Sequence, residues 1–446
     1  MTVENNKVVN LVHAVDAEGP LAETEYSLNL ETQPENDWPT NPAFDLSPAG
    51  FEAMVQKHRQ KVLGTWPELV SMLKAATSPA QRNALPNSYG RGWIFNWFCM
   101  DHIGFVENPR YRMMGVHKIF DFYEKVINEQ KAGDALHWHF HPMSTYRQAN
   151  ICATSYVNSP ELYEILIRRL IDRRWFPCVN RAGFHDERPD SHWFLEQWVP
   201  FDLSNMSSAD VNIQANPDLA QGRFADWRWA TREWEVYQPH HDCYQSKGAC
   251  RRRIGRCLNL INRFANITVE EMRAAFSRAQ EGLPTLVGFS SHDWRDLNLE
   301  MAYIRHLVQM VAPDFPEVKY RYSEAADAFN RVSVTKPNEP LRLDCQMQFG
   351  DDGLPKVLVV RQKKGQIFGP QPFLAIRTRS QRYIHDNFNF HDSLDSFNFQ
   401  FDHQSVLPRD VEAIAVGAND AWGRQSIHVL EIDQIKGPKQ GEVCQF

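Results

Sequence analysis

Three histidines alternate in the stretch ALHWHFHP, at His137, His139 and His141. In an extended chain all three share one face; in a helical turn only His137 and His141 line up. Two carboxylates stand two residues apart in VDAEG, Asp16 and Glu18, and share a face if a strand runs through them. Arg181 in NRAGFH and His292 in GFSSHDW complete the set of acid–base groups. One carboxylate with two imidazoles is an ordinary hydrolytic zinc set that leaves a position open for water. A second, non-ligating carboxylate could take that water's proton, and a separate histidine could protonate a leaving group.

These groups need elements that bring them to one place. The run KVVNLVHAV is apolar and ends in acidic residues and glycine, as a buried parallel strand does where it delivers side chains from its C-terminal end. The stretch RGWIFNWFCMDHIGF reads as a second such strand ending on Asp101 and His102, the histidine segment as a third, PCVNRAGF as a fourth and LPTLVGFSSHDW as a later one. Between them lie helical patterns: SPAGFEAMVQKHRQK, opened by Ser-Pro, VHKIFDFYEKVINEQ, PELYEILIRRLIDRRW, RPDSHWFLEQWV, TVEEMRAAFSRAQEG with a capping-type start, and NLEMAYIRHLVQMVA. Strand–helix alternation predicts a parallel α/β barrel or doubly wound sheet, with the polar strand ends on one face. Residues 21–46 read as an irregular insertion. From about residue 333 short β runs separated by turns replace the helices, which predicts a small β-sandwich. The expected domains are therefore residues 1–332 and 333–446.

Taken in order, the motifs resemble the polysaccharide deacetylase family, the NodB-type domain of carbohydrate esterase family 4, over roughly residues 8–310. The resemblance implies an irregular (β/α) barrel, a divalent metal and removal of acetyl groups from N- or O-acetylated sugars. It implies Asp16 as base and Glu18 as metal ligand in VDAEG, and His137 and His141 as the paired metal histidines. It further implies Arg181 in RAGF as the arginine that orients the base, and His292 in LVGFSSH as the catalytic acid. Asp226-Trp227 in RFADWRW is the best match to the family's Asp-Trp pair, and places these two, with His139, as pocket residues. The sequence departs from the commoner pattern at Glu18, which replaces an adjacent second aspartate, and at Trp138, where a small hydroxyl residue is usual.

Each group also has a plainer reading. A spare histidine beside a metal is more often a wall residue or a donor to a ligand, which is the reading for His139. Cys243, Cys250 and Cys257 lie seven apart near His240 and His241 but contain no C-x-x-C pair, so a structural zinc site is disfavoured. The run from Arg251 to Arg256 reads as a solvated, salt-bridged helix face before a phosphate site. Trp227, Trp229 and Trp234 fit core packing at least as well as sugar stacking.

Composition bounds the rest. The 446 residues exceed one ordinary domain, and 43% of them are hydrophobic, enough for a sizeable core. A net charge of −7 speaks against a general nucleic-acid binder. The first twenty residues show no signal-peptide pattern and no apolar run reaches membrane-spanning length, so the expected location is cytoplasmic, with reduced cysteines. The favoured reading is a zinc-dependent deacetylase acting on an acetylated sugar or glycan precursor. The alternatives are a hydrolase of another C–N bond, a glycosidase on a related barrel, or an inactive glycan-binding protein.

Overall fold

The computed structural model describes residues 7–21, 42–101, 116–141, 156–157, 159, 161–185, 187–209, 226–333, 339–432 and 443–446. His102 and most of the irregular insertion therefore lie outside the described residues.

Seven parallel strands close into a barrel: β1 (Val8–Ala17), β2 (Phe95–Asp101), β3 (Ala135–Phe140), β4 (Val179–Asn180), β5 (Phe201–Asn205), β6 (Arg253–Asn259) and β7 (Thr285–His292). β7 pairs with β1 from Val9↔Thr285 to Asp16↔His292, and its other edge closes on β6 at Gly288↔Cys257. An eighth strand, β8 (Lys319–Tyr322), pairs with the first half of β1, on residues Val8–Leu11; β2 takes over from His13. β1 is buried almost throughout because both its faces are covered, one by the barrel interior and one by helices, which is why it reads as a continuous apolar run.

The helices that cover this barrel begin where local chemistry starts them. In α1 (Pro48–Gln60) the Ser47 side chain accepts from Gly50 N with proline in the first turn. In α2 (Trp66–Ala76), Thr65 and Glu68 form a reciprocal capping box. α3 (Lys118–Gln130) ends on Lys131 in left-handed geometry. The Thr268 side chain caps the helix Val269–Gln280 through Glu271 N, and Asp296 caps Leu297–Val311. Between barrel and helices lies an aromatic-rich core that includes Trp66, Trp93, Trp97, Tyr123, Phe289 and Met301.

The N-terminal end of the barrel is filled by the short helix Ala325–Arg331. Ser323 N donates to Leu11 O and Ala325 N to Asn96 Oδ1, at the feet of β1 and β2. On the far side Phe329 stacks on Phe201 of β5, 4.8 Å between centroids. Gly255 of β6 makes room for it: a Cβ there would stand 3.1 Å from the Phe329 ring.

The chain divides into two compact units, the first spanning Met1–Ser155, Val179–Pro189 and Phe201–Val334, the second Tyr156–Cys178, Asp190–Pro200 and Thr335–Phe446. The second unit is an antiparallel sandwich of a five-stranded and a four-stranded sheet with its own apolar core. It also contains the helices Glu161–Arg173 and most of Pro189–Trp198, which sequence order alone would give to the barrel. Asn419 binds them to the sandwich by donating to Pro177 O and Trp198 O, and Arg377 meets Asp172 at 3.1 Å.

Two local expectations change. The arginine run is not a solvated helix face: Arg253–Asn259 is a barrel strand, Arg252 is fully buried against Glu187 at 2.6 Å and Asp202 at 3.3 Å, and Arg256 holds Glu271 at 2.6 Å. The tryptophan-rich stretch RFADWRWATREWEVYQP, whose composition reads as β, is mostly turn among its described residues, with only Val236–Tyr237 paired to the barrel. None of the described cysteines forms a disulfide. No described helix is long and apolar enough to cross a membrane.

Candidate metal centre

Inward-facing side chains alternate along each barrel strand, so Asp16 and Glu18 at the end of β1 point to the same side. His292 ends β7 directly beside Asp16 in the ladder. Its Nε2 lies 3.7 Å from Asp16 Oδ2 and 3.7 Å from Glu18 Oε1. Arg181 enters from the end of β4 and donates through Nη1 to Asp16 Oδ2. All four groups therefore meet at the C-terminal mouth of the barrel, where such folds place their sites.

The histidine strand supplies a different pair from the one expected. β3 is extended, so His137 and His139 share the inward face. Along the ladders Asp16 is level with Phe98 and Phe98 with His137. Closing a barrel tilts its strands and staggers them by about one residue per strand. Two strands away from β1, the side chain that reaches Asp16 is accordingly His139, whose Nε2 is 3.8 Å from Asp16 Oδ2. His137 sits one layer deeper, with Nε2 3.1 Å from Glu324 and 3.2 Å from Asn96 Oδ1. The donor atoms that converge are those of Glu18, His139 and His141, all within 4.8 Å of one another. His137 is thus replaced by His139 in the candidate ligand set, because strand periodicity of two, not a four-residue spacing, sets which rings meet.

The surroundings fix these donors. The His139 Nδ1–H donates to Arg181 O at 2.7 Å, which leaves the Nε2 lone pair facing the cluster. Burial, with the nearby Arg181 charge, lowers the pKa of His139 to about 4, so the ring is neutral at neutral pH. The His141 and His139 Nε2 atoms approach to 2.9 Å, with the rings edge to face. Trp294 Nε1 donates to Glu18 Oε2 at 3.0 Å. Tetrahedral zinc ligands at about 2.1 Å from the ion stand about 3.4 Å from one another, so this donor set fits a small divalent cation with slight outward movement of one ring. A further observation points the same way: Asp16 Oδ1 is buried and accepts no hydrogen bond. A buried carboxylate oxygen left bare is costly unless something arrives to use it.

Burial raises the Asp16 carboxyl to about 7 against the opposing pull of Arg181. In this pocket desolvation outweighs the Arg181 charge, and a cation beside Glu18 would add the missing pull. Asp293 holds the chain after β1 in place: its Oδ2 accepts from Gly19 N at 2.8 Å and from Tyr123 Oη at 2.7 Å.

The turn after β4 carries the tightest geometry. Gly183 is required, since a Cβ there would stand 2.5 Å from the His141 ring. Phe184 and His185 both adopt φ of 54°, left-handed backbone that costs a side-chain-bearing residue about 1–3 kcal/mol each. Phe184 meets His141 edge to face at 4.8 Å, and His185 Nε2 accepts from Arg181 Nη2 at 2.9 Å.

The remaining expectations fall at the margin. Trp227 is buried and donates through Nε1 to His185 O, so it supports the turn and does not line the cluster. Asp226 forms a two-pronged, half-exposed pair with Arg228, which holds its carboxyl below the usual range and away from the cluster. Trp234 is buried and Trp229 is exposed. Asp101 accepts from Trp138 Nε1 at 3.2 Å. Sequence reasoning missed His185, Trp294 and Asp293. The last two follow His292 directly in SSHDW and were open to inspection; His185 carries no signal beyond standing four residues after Arg181.

Compared with models of known protein families and with characterised proteins, the chain gives no match.

Proposed function

We propose that the protein is a metal-dependent hydrolase, and specifically a deacetylase that removes an acetyl group, N-acetyl before O-acetyl, from a sugar or glycan precursor. The observation that carries the reading is the convergence of Glu18, His139 and His141 beside an arginine-held Asp16 and His292. The class of reaction follows from this donor set; the acetylated sugar follows from the resemblance of the motif order to polysaccharide deacetylases.

A divalent cation, zinc by its donor chemistry, supplies Lewis-acid polarisation of a carbonyl and acidifies water when held by Glu18, His139 and His141. Asp16 is placed to accept the water's proton at Oδ1, the oxygen that Arg181 leaves open. Arg181 keeps the Asp16 carboxylate oriented and favours its charged form. His292, a quarter exposed, reaches toward both carboxylates from the solvent side, where it can protonate a departing amine or alkoxide at Nε2. Trp294 restrains Glu18 and excludes water from its far oxygen.

The alternatives fit less well. The Asp16, Glu18 and His292 donor atoms also lie within 4.8 Å of one another. That is closer than the roughly 5–9.5 Å at which glycosidase carboxylates flank a bond. Nor does this second trio suit a second cation, since the Arg181 guanidinium already supplies a positive charge to Asp16. An inactive glycan-binding protein would have no use for a bare buried carboxylate oxygen beside intact donors.

The test is metal analysis of the purified protein coupled to an acetate-release screen over N- and O-acetylated sugars, nucleotide- and lipid-linked ones included. One equivalent of metal with metal-dependent acetate release is expected. Protein that binds no zinc overturns the metal reading; zinc binding with hydrolysis only of non-acetyl C–N substrates overturns the deacetylase.

A further inference from the structure

The guanidinium of Arg181 is buried, yet its Nε has no hydrogen-bond partner. The usual anchor that fixes an arginine plane from the stem side is therefore missing. The plane is set by what Nη1 and Nη2 meet, with the buried Cys257 thiol beside the guanidinium as a weak further partner. Nη1 meets Asp16; Nη2 meets His185 Nε2 at 2.9 Å and Ser290 Oγ at 3.0 Å. The serine hydroxyl has two alternative acceptors, Leu258 O at 3.4 Å and Asn259 Oδ1 at 3.5 Å, so no single bond fixes its orientation. The His185 ring has no such choice: its Nδ1–H donates to Ser204 O at 3.3 Å, which leaves Nε2 as a fixed acceptor.

The backbone around His185 is built to hold that ring. His185 N donates to Ala182 O, Ala182 N to Ser204 Oγ, and Trp227 Nε1 to His185 O. These contacts maintain two consecutive left-handed residues that the chain would otherwise avoid. The ring is fully buried beside a cation, so it stays neutral and retains its acceptor lone pair.

We infer that His185 is a positioning residue for the base: it fixes the Arg181 plane so that Nη1 covers Asp16 Oδ2 and leaves Asp16 Oδ1 open for the reacting water. Together with Gly183 and Phe184 against His141, the turn sets the base and one cation ligand from a single three-residue segment. The inference rests on Asp16 acting as the base of the proposed hydrolysis.

The test uses full-length zinc-loaded protein in three forms: wild type, His185→Leu, which keeps volume but removes the acceptor, and His185→Gln, whose amide oxygen can accept from Arg181 while its NH2 donates to Ser204 O. Two measurements are made, steady-state kinetics on an acetylated substrate and the Nη proton resonances of Arg181 in [15N]arginine-labelled protein. His185→Leu is expected to lower kcat about 10–100-fold, with KM within about twofold and zinc stoichiometry unchanged. The Arg181 Nη protons, resolved in wild type, should collapse by free rotation. His185→Gln should restore both. If His185→Leu fails to fold, His185→Asn, too short to span both partners, takes its place. Unchanged Arg181 resonances overturn the inference, as does unchanged kcat in an active enzyme. If the wild type hydrolyses nothing, the deacetylase reading fails while the resonances still decide the role of His185 in holding Arg181.

Discussion

Replacing His139 by alanine removes an imidazole whose Nε2 faces Glu18 and His141 and whose other nitrogen is tied to Arg181 O. Four-ligand zinc sites bind with about 10–16 kcal/mol, roughly 2.5–4 kcal/mol per ligand. At 1.4 kcal/mol per decade, loss of one donor weakens binding by about two to three decades. Replacing His137 by alanine does something else. That ring pairs with Glu324, whose side chain is 24% exposed, and with Asn96 in the layer below. Water can reach the abandoned carboxylate, so the cost is about 1–3 kcal/mol of folding stability, with zinc affinity unchanged to within about threefold. The assay is competition for zinc against a chromogenic chelator, run beside urea unfolding, with His141→Ala as the reference for a lost ligand. Zinc lost on His137→Ala and retained on His139→Ala would refute the stagger argument and return the ligand set to the four-residue spacing.

Three further outcomes are expected. Asp16→Asn should lower kcat about 10²–10⁴-fold while zinc remains bound, because it removes the proton acceptor and not a ligand; kinetics with metal analysis on the same sample checks this, and full activity would displace Asp16 as base. Gly183→Ala drives a methyl group into the His141 ring and should weaken zinc binding by at least tenfold with the fold retained by circular dichroism. The third concerns pH. His13 is buried, accepts from Trp93 Nε1 and donates to Ser291 Oγ, and burial lowers its pKa to about 3. A depressed histidine contributes stability above its unfolded value of about 6.5, and this is lost as pH falls toward 3, by about 1.4 kcal/mol per unit. Asp16 and Asp293, raised to about 7 and about 6 by burial, act with opposite sign in part of that window. The difference in unfolding free energy between wild type and His13→Gln isolates the histidine, and should shrink steadily from pH 6.5 to 4.5; a pH-independent difference would show that His13 is not buried neutral.

Much of the barrel was legible because its signals are local. Apolar runs ending in Asp16, Asp101 and His292 are strands whose C-terminal ends share one rim, and Ser47, Thr65 and Thr268 start helices by bonds three residues long. Asp16, Glu18, Arg181 and His292 come together because each sits at such a rim. What was not legible depends on closure and on distant partners. The choice between His137 and His139 follows from strand stagger, which no single strand records. Arg252 and Arg256 look like surface charges until Glu187, Asp202 and Glu271 arrive from elsewhere in the chain to neutralise them. The helices at 161–173 and 189–198 alternate with barrel strands in sequence, yet group with the sandwich through Asn419 and Arg377, more than two hundred residues later.

The helix Ala325–Arg331 has a kinetic consequence. With Phe329 seated between Phe201 and Gly255 at its foot, the barrel is a vessel with a stopper in its base. Among the described residues the foot of the barrel is closed, and the cluster lies at the opposite rim. For the proposed hydrolase this means that substrate and products exchange on the rim side and not through the foot. Under the proposed deacetylase reading, acetate and the deacylated product should each compete with incoming substrate, and whichever leaves last should set the pace once chemistry is fast.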